Sequence, residues 1–91
     1  MNRIRKKAKS VSRAKIEAEV SELESGISVI ASGYRLHAVA IDGVKYISLD
    51  ARAINRGLNQ GGRGDYRYLV QGGSVVGLAV HQLSGKYRRV A

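Results

Sequence analysis

The stretch from residue 34 to residue 50 reads Tyr-Arg-Leu-His-Ala-Val-Ala-Ile-Asp-Gly-Val-Lys-Tyr-Ile-Ser-Leu-Asp and carries the strongest turn signal in the chain. Two runs rich in apolar and aromatic side chains flank Asp42-Gly43, a dipeptide that favours a two-residue type I′ turn. Both positions of that turn need a positive φ, which Asp tolerates and Gly adopts freely. The stretch therefore predicts a β-hairpin with strands at 34–41 and 44–49.

The two-residue turn also fixes the register of this hairpin. The predicted pairs are Leu36–Leu49 and Ala38–Ile47 on one side, and Arg35–Asp50, His37–Ser48 and Val39–Tyr46 on the other. We expect the first side, which is apolar, to face the core. The second side mixes apolar and charged residues, which is more typical of an interface.

A helix is predicted before the hairpin. Apolar residues recur at spacings of four, three and four, which is the period of one helix face, at Ile16, Val20, Leu23 and Ile27. Ser12 is a candidate N-cap, and Ser25-Gly26 is a candidate left-handed C-cap. A further short strand is predicted at 27–31.

The chain after the hairpin predicts a second helix and three more strands. Asp50 is a candidate cap for a short helix at 51–58, whose apolar face carries Ala51, Ile54 and Leu58, and residues 57–65 form a glycine-rich loop. Strands are predicted at 66–71, 75–82 and 86–90, with turns at Gly72-Gly73 and Ser84-Gly85. This order predicts an α+β fold: an N-terminal helix, antiparallel β-hairpins in a meander and one short second helix.

Composition limits the chemistry that the chain can perform. Its 91 residues form one domain and include no Cys, so disulfides and thiolate zinc sites are excluded, and His37 and His81 are isolated in the sequence. We expect no metal and no cofactor, and we expect a homodimer, because so small a core is only marginally stable alone. No apolar run is long enough for a membrane span, and the expected location is the cytoplasm of a bacterial or virus-infected host cell.

The charge is strongly positive and unevenly distributed. The chain has 16 basic and 7 acidic residues, a net charge of +9, and a pI near 10.4. Residues 1–15 hold seven of the basic residues and no acidic one, whereas residues 16–25 hold four Glu and no base. We expect residues 1–15 to form a flexible basic arm and residues 16–91 to form a single small domain.

A basic chain of this kind is typical of a nucleic-acid-binding protein, since cations neutralise phosphates and tyrosine rings stack on bases. The candidate residues of the arm are Arg3, Arg5, Lys6, Lys7, Lys9 and Arg13. Those of the strands are Arg35, Tyr46, Tyr66, Arg67, Tyr68, Tyr87, Arg88 and Arg89. Those of the short helix and its loop are Arg52, Arg56 and Arg63.

The leading hypothesis is therefore a small DNA- or RNA-binding protein, of the kind that serves as a phage, plasmid or bacterial regulator. The alternative is a protein-binding inhibitor or adaptor, for example a viral factor that blocks a host nucleic-acid-handling or defence complex. Exposure of the apolar patch Val39, Ile41, Val44 and Tyr46 would favour that alternative. A packaged virion component is a third hypothesis, for which charge alone suffices. No set of nucleophile, base and orienting residue can be assembled, so we do not expect an enzyme.

Overall fold

The computed structural model describes residues 12–25, 29, 31–58 and 65–91. The helices are α1 (Arg13–Glu24) and α2 (Arg52–Leu58), and the strands are β1 (Leu36–Ile41), β2 (Val44–Asp50), β3 (Asp65–Gln71), β4 (Ser74–His81) and β5 (Tyr87–Arg89). The strands form one sheet in the order β1-β2-β3-β4-β5, and each neighbouring pair is antiparallel. This meander with two helices confirms the predicted α+β fold.

Helix α1 begins where the sequence predicts a cap. The Ser12 hydroxyl accepts from the Lys15 backbone N–H at 3.4 Å, and the Ser25 N–H donates to the Glu22 carbonyl at 3.3 Å. Arg13 and Lys15 therefore belong to the helix, although we predicted them as part of the arm. The rest of the arm, residues 1–11, lies outside the described residues, as do Gly26 and Ile27.

The hairpin is confirmed in both its turn and its register. Asp42 has φ 51° and Gly43 has φ 81°, as a type I′ turn requires, and the observed pairs run from Leu36↔Leu49 to Ile41↔Val44. The strand predicted at 27–31 is wrong for Val29 and Ala31, the two residues of that range that the structure describes. Residues 31–33 form a turn instead, and the Tyr34 N–H donates back to the Val29 carbonyl at 3.2 Å.

The predicted orientation of the hairpin faces is wrong. Tyr46 is buried in a cluster with Leu69 and Ala79, and side chains from β1 and β5 pack against that cluster. Leu36 is 46% exposed and Ile47 is 38% exposed, although we expected both in the core. The sheet curls around the Tyr46 side, so that side is enclosed by the sheet itself.

The helices cover part of the opposite side of the sheet. Ala51, Ile54 and Tyr68 form a second buried cluster, against which the apolar stripe of α1 packs, namely Ile16, Val20 and Leu23. Leu49 is buried because it lies opposite Tyr68, in the part of this side nearest the helices. The uncovered part, carried by β1 and β2, leaves Leu36 and Ile47 exposed.

The side chain that caps the N-terminus of helix α2 is Glu19, whereas we predicted Asp50. The Asp50 carboxylate accepts from Arg35 and Arg67 instead of capping the helix. The Ala51 carbonyl accepts the first helical hydrogen bond, from the Asn55 N–H at 2.9 Å. The Ala53 N–H in the first turn donates to Glu19 Oε1 at 2.9 Å. None of the described helices has the length and apolar character needed to cross a membrane.

Candidate nucleic-acid interface

Glu19 joins three separate parts of the fold. Its carboxylate accepts from Tyr34 Oη at 2.8 Å, from Tyr68 Oη at 2.7 Å and from the Ala53 N–H. Burial, followed by the hydrogen bond to Glu19, raises the pKa of Tyr34 from its ordinary 10.0 to about 12. The same two causes raise the pKa of Tyr68 further. Both hydroxyls therefore remain protonated donors at neutral pH.

A second network holds Arg67, which is only 1% exposed, inside the curled sheet. Its guanidinium donates to Ser48 Oγ at 2.9 Å, to Asp50 Oδ1 at 2.7 Å and to the Arg35 carbonyl at 2.9 Å. Burial alone would raise the pKa of Asp50, but hydrogen bonds from Arg35 and the charges of both arginines lower it below its ordinary 3.8. This network stabilises the fold and leaves Arg67 unable to reach a ligand.

A cleft of about 780 Å³ lies between the two helices, and we refer to it as the α1–α2 cleft. Its lining includes Ser12, Lys15, Glu19, Glu22, Tyr34, Arg52 and Arg56. Lys15 is contributed by the first turn of α1, and Arg52 and Arg56 lie one turn apart on α2. Packing of α1 against α2 thus brings three cations together from two distant parts of the sequence.

The wall of this cleft contains a stacked pair of side chains. The Arg52 guanidinium carbon lies 3.7 Å from the centroid of the Tyr34 ring, and its Nη2 donates to the Ser32 carbonyl at 3.0 Å. Gly33 makes this approach possible, because a Cβ there would lie 3.3 Å from Arg52 Nη2 and its φ is 80°. The guanidinium plane is therefore held in place before any ligand arrives.

The cations of the cleft are not neutralised by carboxylates. Across the part of the chain that the structure describes, the ion pairs all involve Asp50 or Asp65. Glu19 and Glu22 also line the cleft, but the Glu19 carboxylate is buried and already accepts three hydrogen bonds. Lys15 and Arg56 are exposed. With three cations (Lys15, Arg52 and Arg56) against two carboxylates (Glu19 and Glu22), the lining carries a formal net charge of +1.

The structure distributes the other predicted site residues widely. Arg13 and Arg88 are exposed, but neither lines the cleft. Arg35 forms ion pairs with Asp50 and Asp65, at 2.9 and 3.4 Å. The arm residues Arg3, Arg5, Lys6, Lys7 and Lys9 lie outside the described residues, and so does Arg63.

The predicted tyrosines mostly have structural roles. Tyr46 and Tyr68 are buried, and Tyr66 is half-buried against the second cluster. Tyr87 stacks on His81, with centroids 4.4 Å apart. Arg89 donates to Tyr46 Oη at 3.0 Å, to the Val76 carbonyl at 2.8 Å and to the Ala91 carbonyl at 2.7 Å. These contacts, with those of Arg35 and Arg67, occupy the strand side chains that we expected to bind bases and phosphates, apart from Arg88.

The sequence prediction omits Lys15, Tyr34 and Glu19 from the site. The predicted N-cap at Ser12 already implies that Lys15 shares one helix face with Glu19 and Glu22, because the three are spaced by four and three residues. Tyr34 and Glu19 carry no local signal, because they meet only when the chain folds. Asn55 is a further structural residue. Its side-chain amide exchanges two hydrogen bonds with the Tyr66 backbone, at 2.8 and 3.1 Å.

The exposed apolar surface lies opposite to the patch that we predicted. Val39 and Ile41 pack with the buried Tyr46, and of the predicted patch only Val44 is exposed, at 41%. The other side of β1 and β2, which we refer to as the outer face, exposes Leu36, Ala38, Ala40 and Ile47. A shallow groove of about 620 Å³ runs along it, past Ile47 and Val70.

In comparisons with known proteins, no family model, no curated protein and no solved structure matches the chain.

Proposed function

We propose that this protein binds nucleic acid, DNA or RNA, through the α1–α2 cleft and the basic segment that precedes α1. The observation that carries the proposal is the convergence of Lys15, Arg52 and Arg56 on one cleft without carboxylate partners. Unpaired cations at a concave surface attract phosphates, and binding then releases counterions. No catalytic role is part of the proposal.

The basic segment is joined directly to this cleft. Residues 1–11 carry five basic side chains and no acidic one, and Ser12, which follows them, lines the cleft. Any polyanion in the cleft therefore lies next to the point where this segment enters α1. The combined charge of the segment and the cleft supports a directional binding surface.

Two of the four acidic residues of α1 have contacts within the fold. Glu19 is buried beneath the cleft, and Glu24 Oε2 accepts from the Val75 N–H at 2.7 Å. These two carboxylates tie α1 to α2 and to β4. Only Glu17 and Glu22 keep exposed side chains without such a contact among the described residues.

Fluorescence anisotropy with a labelled 15-nucleotide oligonucleotide tests the proposal. Lys15→Gln combined with Arg56→Gln should weaken binding about tenfold, since two phosphate contacts are lost. Lys45→Gln is the matched control, because Lys45 is exposed on β2, outside the cleft, and should leave the affinity unchanged. Equal affinity for the double variant and the control would contradict the proposal.

The outer face favours a second candidate function, binding to another protein. Leu36 and Ile47 form an apolar surface that the fold leaves uncovered. In the cytoplasm, this surface would be covered by a host nucleic-acid-handling complex or by a second copy of the chain in a homodimer. If the wild-type chain captures a partner protein in a pull-down after nuclease treatment, Ile47→Lys should abolish that capture. The molar mass measured by light scattering distinguishes a homodimer from a complex with a different partner.

A further inference from the structure

We propose that the α1–α2 cleft seats one nucleotide of a single strand, with the base stacked on Arg52 and the phosphate held by Lys15 and Arg56. This inference rests on the proposed function and names its substrate class. It follows from the Arg52–Tyr34 stack, the size of the cleft and the arrangement of charges along α1.

The Arg52 guanidinium is a preformed stacking platform. One face covers the Tyr34 ring at 3.7 Å, and the bond to the Ser32 carbonyl fixes the plane. Arg52 is half-buried and lines the cleft, so a base that enters the cleft would stack on the guanidinium face turned away from Tyr34. Unpaired bases stack on arginine planes as they do on aromatic rings.

The concave shape selects a single strand over a duplex. A cleft of about 780 Å³ is within the range of sites that enclose a small ligand. A paired base must first leave its stack to enter such a site, which costs free energy, whereas an unpaired base is already free to enter. Helix α2, which carries Arg52 and Arg56, has only seven residues, about two turns, which is short for a helix that reads a major groove.

The charges along α1 orient the nucleotide. Lys15 and Glu22 are two turns apart on the same helix face, a separation of roughly 10 Å along the axis. The phosphate therefore lies at the end of the cleft that contains Lys15, away from the Glu22 carboxylate. Glu22 weakens binding by repelling neighbouring phosphates of the strand.

The test compares a labelled 15-nucleotide oligodeoxythymidylate with a duplex of equal length. The wild-type chain should bind the single strand about tenfold more tightly than the duplex or better. Arg52→Lys keeps the charge but removes the plane, so it should weaken single-strand binding about tenfold without changing the salt dependence. Glu22→Gln removes no fold contact and should strengthen binding severalfold.

Two results would separate this inference from the proposed function. If Arg52→Lys and Glu22→Gln bind like the wild type while Lys15→Gln with Arg56→Gln binds weakly, the nucleotide seat is wrong and nucleic-acid binding stands. If neither oligonucleotide binds, both are wrong. Urea midpoints matching the wild type show that each variant is folded. Should Arg52→Lys unfold, the wild-type comparison decides the question, because equal affinity for the single strand and the duplex would contradict the nucleotide seat.

Discussion

Glu19 shows how one buried carboxylate can determine the assembly of a small domain. Its partners Tyr34, Ala53 and Tyr68 are 15, 34 and 49 residues away in the chain. The sequence indicates an acidic helix, but it contains no local feature that distinguishes Glu19 from Glu17. Residue-scale roles of this kind depend on contacts that exist only in the folded chain.

We predict that Glu19→Ala lowers the free energy of unfolding by roughly 3 kcal/mol. The substitution leaves a buried tyrosine hydroxyl and a helix N–H without their acceptor, and hydrogen bonds to charged groups are among the stronger ones. Urea denaturation followed by circular dichroism measures the change. Glu17→Ala, at an exposed position of the same helix, should change it by no more than about 0.5 kcal/mol. Similar losses for both variants would show that the Glu19 contacts contribute little.

The raised tyrosine pKa values predict the stability of the protein in alkali. The pKa of Tyr34 is about 12 in the folded chain against 10.0 ordinarily, and that of Tyr68 is raised as well. Above pH 10 the unfolded chain loses these protons while the folded chain keeps them. Stability is therefore fully present below pH 10 and falls as the pH rises towards and beyond 12.

Denaturation midpoints measured from pH 9 to pH 12 check this prediction. Tyr68→Phe removes one of the two raised groups and should make the decline less steep than in the wild type. A wild-type midpoint that stays constant between pH 10 and pH 12 would contradict the raised pKa values of the two tyrosines.

At the scale of the elements, local patterns predicted most of the fold. The Asp42-Gly43 turn determines the hairpin register because its backbone geometry permits only one pairing. Ser12 and the apolar stripe after it likewise predicted α1. The buried side of the hairpin was not predictable, because β1 is apolar on both sides and the outcome depends on how the sheet curls and where the helices pack.

A pair of substitutions tests which side of the hairpin is buried. Tyr46→Ala should lower the free energy of unfolding by about 3–5 kcal/mol, since Tyr46 is 9% exposed inside the first cluster. Ile47→Ala should cost about 1 kcal/mol, since Ile47 is 38% exposed on the outer face. Urea denaturation provides both values, and a larger loss for Ile47→Ala would restore the orientation that the sequence favours.

At the scale of the whole molecule, composition gives the sign of the net charge, but it does not show which basic residues lie together on the folded surface. The net charge of +9 is typical of proteins that bind polyanions, which is why we proposed such a partner. The strand cations that we favoured are mostly engaged within the fold, as Arg67 is with Asp50 and Arg89 with Tyr46. The cleft forms only when α1 packs on α2, so its cations could not be grouped from the sequence.

The salt dependence of binding shows whether the α1–α2 cleft and the basic segment contact phosphates. The affinity for the single-stranded 15-mer should be measured by anisotropy from 50 to about 300 mM KCl. If four to six cations of the segment and the cleft contact phosphates, the logarithm of the association constant should fall with a slope of about −3 to −4. Lys15→Gln with Arg56→Gln should make the slope shallower by about 1.4, at roughly 0.7 for each contact. A wild-type slope near zero, or an unchanged slope in the double variant, would contradict phosphate binding at the α1–α2 cleft.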